Sequence, residues 1–151
     1  GDIITCDHMI TKGERYRGLD GEQCVFVVKD VYTSMIGAYP TDSKSLADVV
    51  RSMRLFAGPH RNIGTVFSDN APELIGATKS MLLHHATSLP GVPKSNAIIE
   101  RIHQLILEAA RTLLTEAGLP TCFWYWAAPC ACFHLNTRKS EDESPWKKAE
   151  R

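Results

Sequence analysis

Five consecutive residues, Cys24-Val25-Phe26-Val27-Val28, constrain this chain more than any other feature. They are β-formers without a polar alternation, so a strand here buries both of its faces. Such a strand belongs inside a sheet covered by helices on each side. It stops at Lys29-Asp30. The run Ile3 to Ile10 predicts a strand before it, with a polar Gly-rich loop, Lys12 to Gly21, between them. Met35 to Tyr39 follows closely enough to pair antiparallel with the buried strand, and Pro40 is expected to end it.

Helical signals then take over. Thr41, Asp42 and Ser43 offer N-caps to a helix carrying Leu46, Val49, Val50, Met53 and Phe56, which Gly58-Pro59 stops. Gly64 to Phe67 reads as a fourth strand, ending at Ser68-Asp69-Asn70. Pro72 and Glu73 open a helix that the pattern carries to about His85, with Leu89 to Pro93 a loop after a brief fifth strand. From Asn96 to about Ala117, Ile98, Ile102, Leu105, Ile106, Ala109, Leu113 and Leu114 predict one apolar helical stripe, closed by Gly118-Leu119-Pro120. A last helix, Cys122 to Asn136, is apolar nearly all round, and Pro129 is expected to kink it. The charged tail from Lys139 is expected to fray, giving a core domain over 1–138 and a tail over 139–151. This order predicts an α/β domain with a mixed sheet.

Lys+Arg 17 against Asp+Glu 17 excludes a domain that grips nucleic acid by bulk positive charge, although not one with a local basic patch. No apolar run approaches the ~20 residues of a membrane span, and no signal segment opens the chain. It starts directly in an apolar run, as a piece of a longer protein would. Five cysteines make a disulfide framework a poor fit and a reducing compartment a better one. Cys130, Cys132 and His134 would diverge on a helix, so they read as packing residues rather than metal ligands.

Three acids stand in chemical settings. Asp7 lies within the first strand, on the face of Ile3 and Thr5. Asp69 follows the carboxyl end of the fourth strand, where α/β sheets hold ligands. Glu100 falls in the first turn of the long helix, on the side of His103, Gln104, Leu107 and Arg111. Each has an ordinary structural use alone. Together, converging carboxylates repel one another unless divalent cations neutralise them, and oxygen ligands suit Mg²⁺ or Mn²⁺. Two such ions ~3.5–4 Å apart clamp the attacking and leaving oxygens of a phosphoryl transfer.

Four stretches carry a resemblance. They are Asp7-His8-Met9; Asp30-Val31-Tyr32-Thr33-Ser34 with Ser43-Lys44; Phe67-Ser68-Asp69-Asn70 with Glu73-Leu74; and Pro93-Lys94-Ser95-Asn96-Ala97-Ile98-Ile99-Glu100-Arg101. In this order they resemble the catalytic core of retroelement integrases, the DDE polynucleotidyl transferases of ribonuclease H-like fold. Gly118-Leu119-Pro120, Phe123-Trp124 and Leu135-Asn136-Thr137-Arg138 continue in the manner of copia-type LTR retrotransposons. The resemblance implies a mixed five-stranded sheet, three strands antiparallel and the rest parallel, with helices on both faces. It implies Asp7, Asp69 and Glu100 as catalytic and metal-binding residues with two Mg²⁺ or Mn²⁺ ions. Lys94, Asn96, His103 and Gln104 would meet DNA. The activity implied is trimming of element DNA ends and their joining to target DNA, by a homodimer or higher oligomer in a cytoplasmic particle and the nucleus.

The chain also departs from that pattern. Positions 70–99 separate Asp69 from Glu100, a shorter gap than the retroviral one. Ala71, Lys94 and Ala97 replace a Gly, a Gln and a Gly, and Gln104 and Leu107 stand where retroviral members carry lysines. No flanking zinc module or basic domain is present, which predicts weak DNA binding by this chain alone. A catalytically inactive or co-opted core, serving as a DNA- or protein-binding or dimerisation module, is the competing reading. Another member of the same fold, a ribonuclease H or a DDE transposase, is a third.

Overall fold

A computed structural model describes residues 3–11, 13, 17–59, 62–87, 97–138 and 143–150. Five strands, β1 (Ile3–Ile10), β2 (Cys24–Asp30), β3 (Ile36–Thr41), β4 (Thr65–Ser68) and β5 (His84–Thr87), form one sheet in the order β3-β2-β1-β4-β5. β1, β2 and β3 pair antiparallel, whereas β4 and β5 run parallel to β1. The helices are α1 (Leu46–Ala57), α2 (Pro72–Ser80), α3 (Ala97–Ala117), α4 (Trp124–Thr137) and α5 (Pro145–Ala149). This is the mixed five-stranded sheet expected from the sequence.

β2 is buried on both faces, as its apolar run requires. Phe26 and Val28 pack with Ile4, Cys6, Val49, Met53, Val66 and Leu74 on the side of α1 and α2. Val25 and Val27 pack with Ile99, Ile102, Ile106, Ala128 and Cys132 on the side of α3 and α4. The alternation along one strand therefore fills two cores.

Several local expectations are corrected. β3 runs through Pro40 to Thr41, because an edge strand tolerates a residue without an N–H. The N-cap of α1 is Ser45, whose hydroxyl accepts the Asp48 N–H, rather than Thr41, Asp42 or Ser43. Gly58, at φ 61, ends that helix. α2 stops at Ser80, not near His85, and His84 and His85 lie in β5. The stop is made by Leu82 at φ 56, with the Leu83 N–H bonded to the Thr78 carbonyl. The buried face of α3 is Ile99, Ile102, Ile106, Ala110 and Leu114, while Ile98 and Leu105 are exposed. α4 contains Pro129 within its span, as expected, whereas residues 145–149 of the expected tail form a short helix capped by Ser144. Lys139 to Asp142 lie outside the described residues.

Asn136, the last buried residue of α4, braces the open edge of β3. Its Oδ1 accepts the Ile36 N–H at 2.9 Å and its Nδ2 donates to the Ile36 carbonyl at 2.7 Å. One amide side chain thus replaces a missing neighbouring strand.

Candidate active site

The sheet register brings the two aspartates together. In the parallel β1–β4 pair, Thr5 stands opposite Phe67. Asp7 lies two residues further along β1 and Asp69 one residue beyond the end of β4, near enough for the Asp69 charge to reach the Asp7 carboxyl. Asp7 shares the face of Met9, which packs on the α3 and α4 side. That face is where Glu100 enters, in the first turn of α3.

The electrostatics follow. Burial, and then the negative charges of Asp69 and Glu100, push the Asp7 carboxyl above its ordinary pKa. The His8 N–H, donated to Asp7 Oδ1 at 2.7 Å, and the Lys44 charge oppose this without reversing it. Asp69 Oδ1 accepts the Ala71 N–H at 3.1 Å. Each aspartate therefore has one oxygen tied to backbone and the other uncommitted to a bond described here. Glu100 is exposed, as are Gln104, Leu107 and Arg111. Among the described residues, no three His, Cys, Asp or Glu side chains close tightly enough to hold a metal ion. The three acids thus share one region and one field without forming a closed cage.

A raised carboxyl pKa has a defined sign in stability. Protonated Asp7 favours the native state, and that contribution is lost as pH rises through its folded-state pKa. Asp7→Asn is therefore expected to raise Tm at pH 7, by roughly 2 °C for a domain of this size. The gain should disappear in acid, below the ordinary carboxyl range. Paired melting curves at pH 3 and pH 7 check it; equal Tm differences at both would refute the sign.

Other site residues differ from their sequence reading. Lys94 and Asn96 lie outside the described residues. His103 is half-buried, and its Nε2 is enclosed without a hydrogen-bond partner among the described residues, as is His8 Nε2. Burial, and the nearby His8, lower the His103 pKa to about 4, so it offers no positive charge to a phosphate at neutral pH. His8 points to the opposite face of β1, its ring 5.3 Å from that of Phe26. In the sequence Lys44 belongs only to the family pattern, yet in the structure its charge reaches both Asp7 and His8. Cys130 is exposed and Cys132 buried, diverging on α4 as helical geometry requires.

Three comparisons bear on this geometry. No protein-family model matches the chain. The retrovirus-related Pol polyprotein from transposon RE1 of Arabidopsis thaliana is 31% identical over 140 residues, covering 85% of this chain and 9% of that protein. The corresponding polyprotein from transposon RE2 of the same plant is 30% identical over 141 residues, covering 86% of this chain and 10% of that protein. Among solved structures, the magnesium complex of the HTLV-2 integrase catalytic core domain superposes with a TM-score of 0.73 at 16% identity, covering 96% of this chain and 93% of that one. The BIV integrase catalytic core gives 0.70 at 14% identity, covering 99% and 95%. The chain is a homologue of copia-type transposon Pol polyproteins, with the fold of an integrase catalytic core. That fold is the ribonuclease H-like one expected from the four sequence stretches. The integrase-like core spans about a tenth of the length of the polyproteins it matches.

Proposed function

We propose that this integrase-like core carries out metal-dependent processing of element DNA 3′ ends and their transfer to target DNA. The observation that carries the reading is electrostatic: the charges of Asp69, just past β4, and of Glu100, in the first turn of α3, both reach the Asp7 carboxyl on β1. Asp7 and Asp69 would hold divalent cations through the oxygens that His8 and Ala71 leave free, and Glu100 would join from α3. The donor set fits Mg²⁺ or Mn²⁺: it is all carboxylate, and Asp7 already feels two like charges. A pair of such ions would supply activation of the attacking oxygen and stabilisation of the leaving one. The chain's own part is placement. β1 and the end of β4 would present two carboxylates, and the first turn of α3 would bring the third toward them. The HTLV-2 core was solved with magnesium, which supports a divalent ion here. The direct test is joining of labelled element-end DNA in Mn²⁺ by the purified protein. No product with any divalent ion would sink the reading.

One observation favours the inactive-module reading: the absence of a closed metal-holding group among the described residues. That reading expects no rise in Tm with Mg²⁺ or Mn²⁺, whereas the active reading expects a rise at pH 7 that shrinks toward pH 4, because protons compete for the same carboxylates.

A second copy of the chain is the proposed protein partner, and DNA the proposed substrate. On α4, Trp126 and Phe133 remain 65% and 57% exposed, one heptad apart on one side of the helix. The HTLV-2 core was solved in dimeric and trimeric forms, which supports self-association. Phe133→Asp is expected to shift the protein to monomer in light scattering, with its circular dichroism unchanged. An unaltered mass would place the contact elsewhere. In the cell such a protein would act in a cytoplasmic particle and the nucleus.

A further inference from the structure

Asp69 is steadied from behind as well as from its own loop. The Ser68 hydroxyl lies 3.0 Å from the Asp69 carbonyl, to which it donates, and 2.8 Å from His85 Nε2. A hydroxyl has one hydrogen. Once that hydrogen is given to the Asp69 carbonyl, the second bond runs the other way, with His85 Nε2–H donating to Ser68 Oγ.

The register explains why these groups meet. His85 stands opposite Val66 in the parallel β4–β5 pair, so it is the diagonal neighbour of Ser68 on one face of the sheet. Asp69, one residue on, addresses the opposite face. The outermost strand thus reaches through Ser68 to the peptide group that carries the candidate ligand. That peptide needs holding. Among the described residues, pairing of β4 with β5 ends at Ser68 and Thr87, and Asp69 follows the end of β4.

We propose that Ser68 and His85 are positioning residues that set the Asp69 carboxylate for a divalent cation. This rests on the metal-site reading above. Without the two bonds the Asp69 carbonyl, part of the 69–70 peptide, is released, the Asp69 Cα can turn and take the carboxylate with it, and the Ala71 bond to Oδ1 is left to hold it alone. Groups that orient a ligand in this way typically cost 10–100-fold in metal affinity when removed. A merely structural pair would cost stability and leave affinity alone.

The test is calorimetric titration of the whole purified chain with Mn²⁺, beside its Tm. Ser68→Ala and His85→Leu are expected to weaken Mn²⁺ binding at least about tenfold. His85→Gln, whose amide N–H can still donate to Ser68 Oγ, should remain within about threefold of wild type on the same scale. Asp69→Asn should abolish binding at that site. Should His85→Leu lose Tm along with affinity, Ser68→Ala decides, because it removes a single hydroxyl. If Asp69→Asn abolishes binding while Ser68→Ala leaves it unchanged, the positioning role is overturned and the metal site stands. If the wild type takes up no Mn²⁺, the metal site fails and this role fails with it.

Discussion

Asp69→Asn should lower strand joining by roughly a thousandfold or more, about 4 kcal/mol of barrier, while leaving the protein folded. The substitution keeps what the fold uses. An asparagine Oδ1 can still accept the Ala71 N–H, as Asp69 Oδ1 does at 3.1 Å. It removes only the charge that a cation would meet. Loss of that charge also relieves repulsion at Asp7, so Tm should hold or rise slightly. Joining rates and Tm measured on the same preparations check both halves. Wild-type rates in the variant would remove Asp69 from the chemistry; a collapsed Tm would show that its part is structural.

Asn136→Ala should cost about 2–3 kcal/mol, from two backbone groups of Ile36 losing their partners at a buried position. For a domain of this size that is a fall in Tm of about 5–10 °C. The exposed edge also becomes a template for pairing with another chain. Aggregation on heating should therefore set in earlier than in wild type. Urea midpoints and light scattering during the melt separate the two effects, and an unchanged midpoint would show that solvent satisfies Ile36 equally well.

Much of this architecture was legible because a few segments admit one solution. The uninterrupted β2 run can be satisfied only with cover on both sides, and both covers are present. Asp7 and Asp69 stand out by position within and just past their strands, and the structure brings them into one electrostatic field. The misreadings have local causes. α2 ends on Leu82, a leucine in a left-handed conformation, where no Gly announces the stop. His84 and His85 continue an acceptable helical pattern, so only the tertiary pairing with β4 makes them strand. The face of α3 is rotated because Ile99 meets the sheet and Ile98 does not, and two adjacent isoleucines leave the phase undecided from sequence alone. Asn136 carried a usable signal, a lone amide inside an apolar helix, which implies a buried partner. The Ser68–His85 pair carried none, since its residues meet only through a strand register.

The three carboxylates differ in how much of their freedom is already spent. Two aspartates each have an oxygen fastened to a neighbouring N–H, while Glu100 is exposed and has no such fastening among the described residues. If the three hold a cation as proposed, completing the centre would order one side chain rather than three. Whatever steadies the beginning of α3, a bound DNA end included, would tighten ion uptake by the same factor that the ion tightens hold on that DNA. On that reading substrate and cation would be mutual licences through a single glutamate.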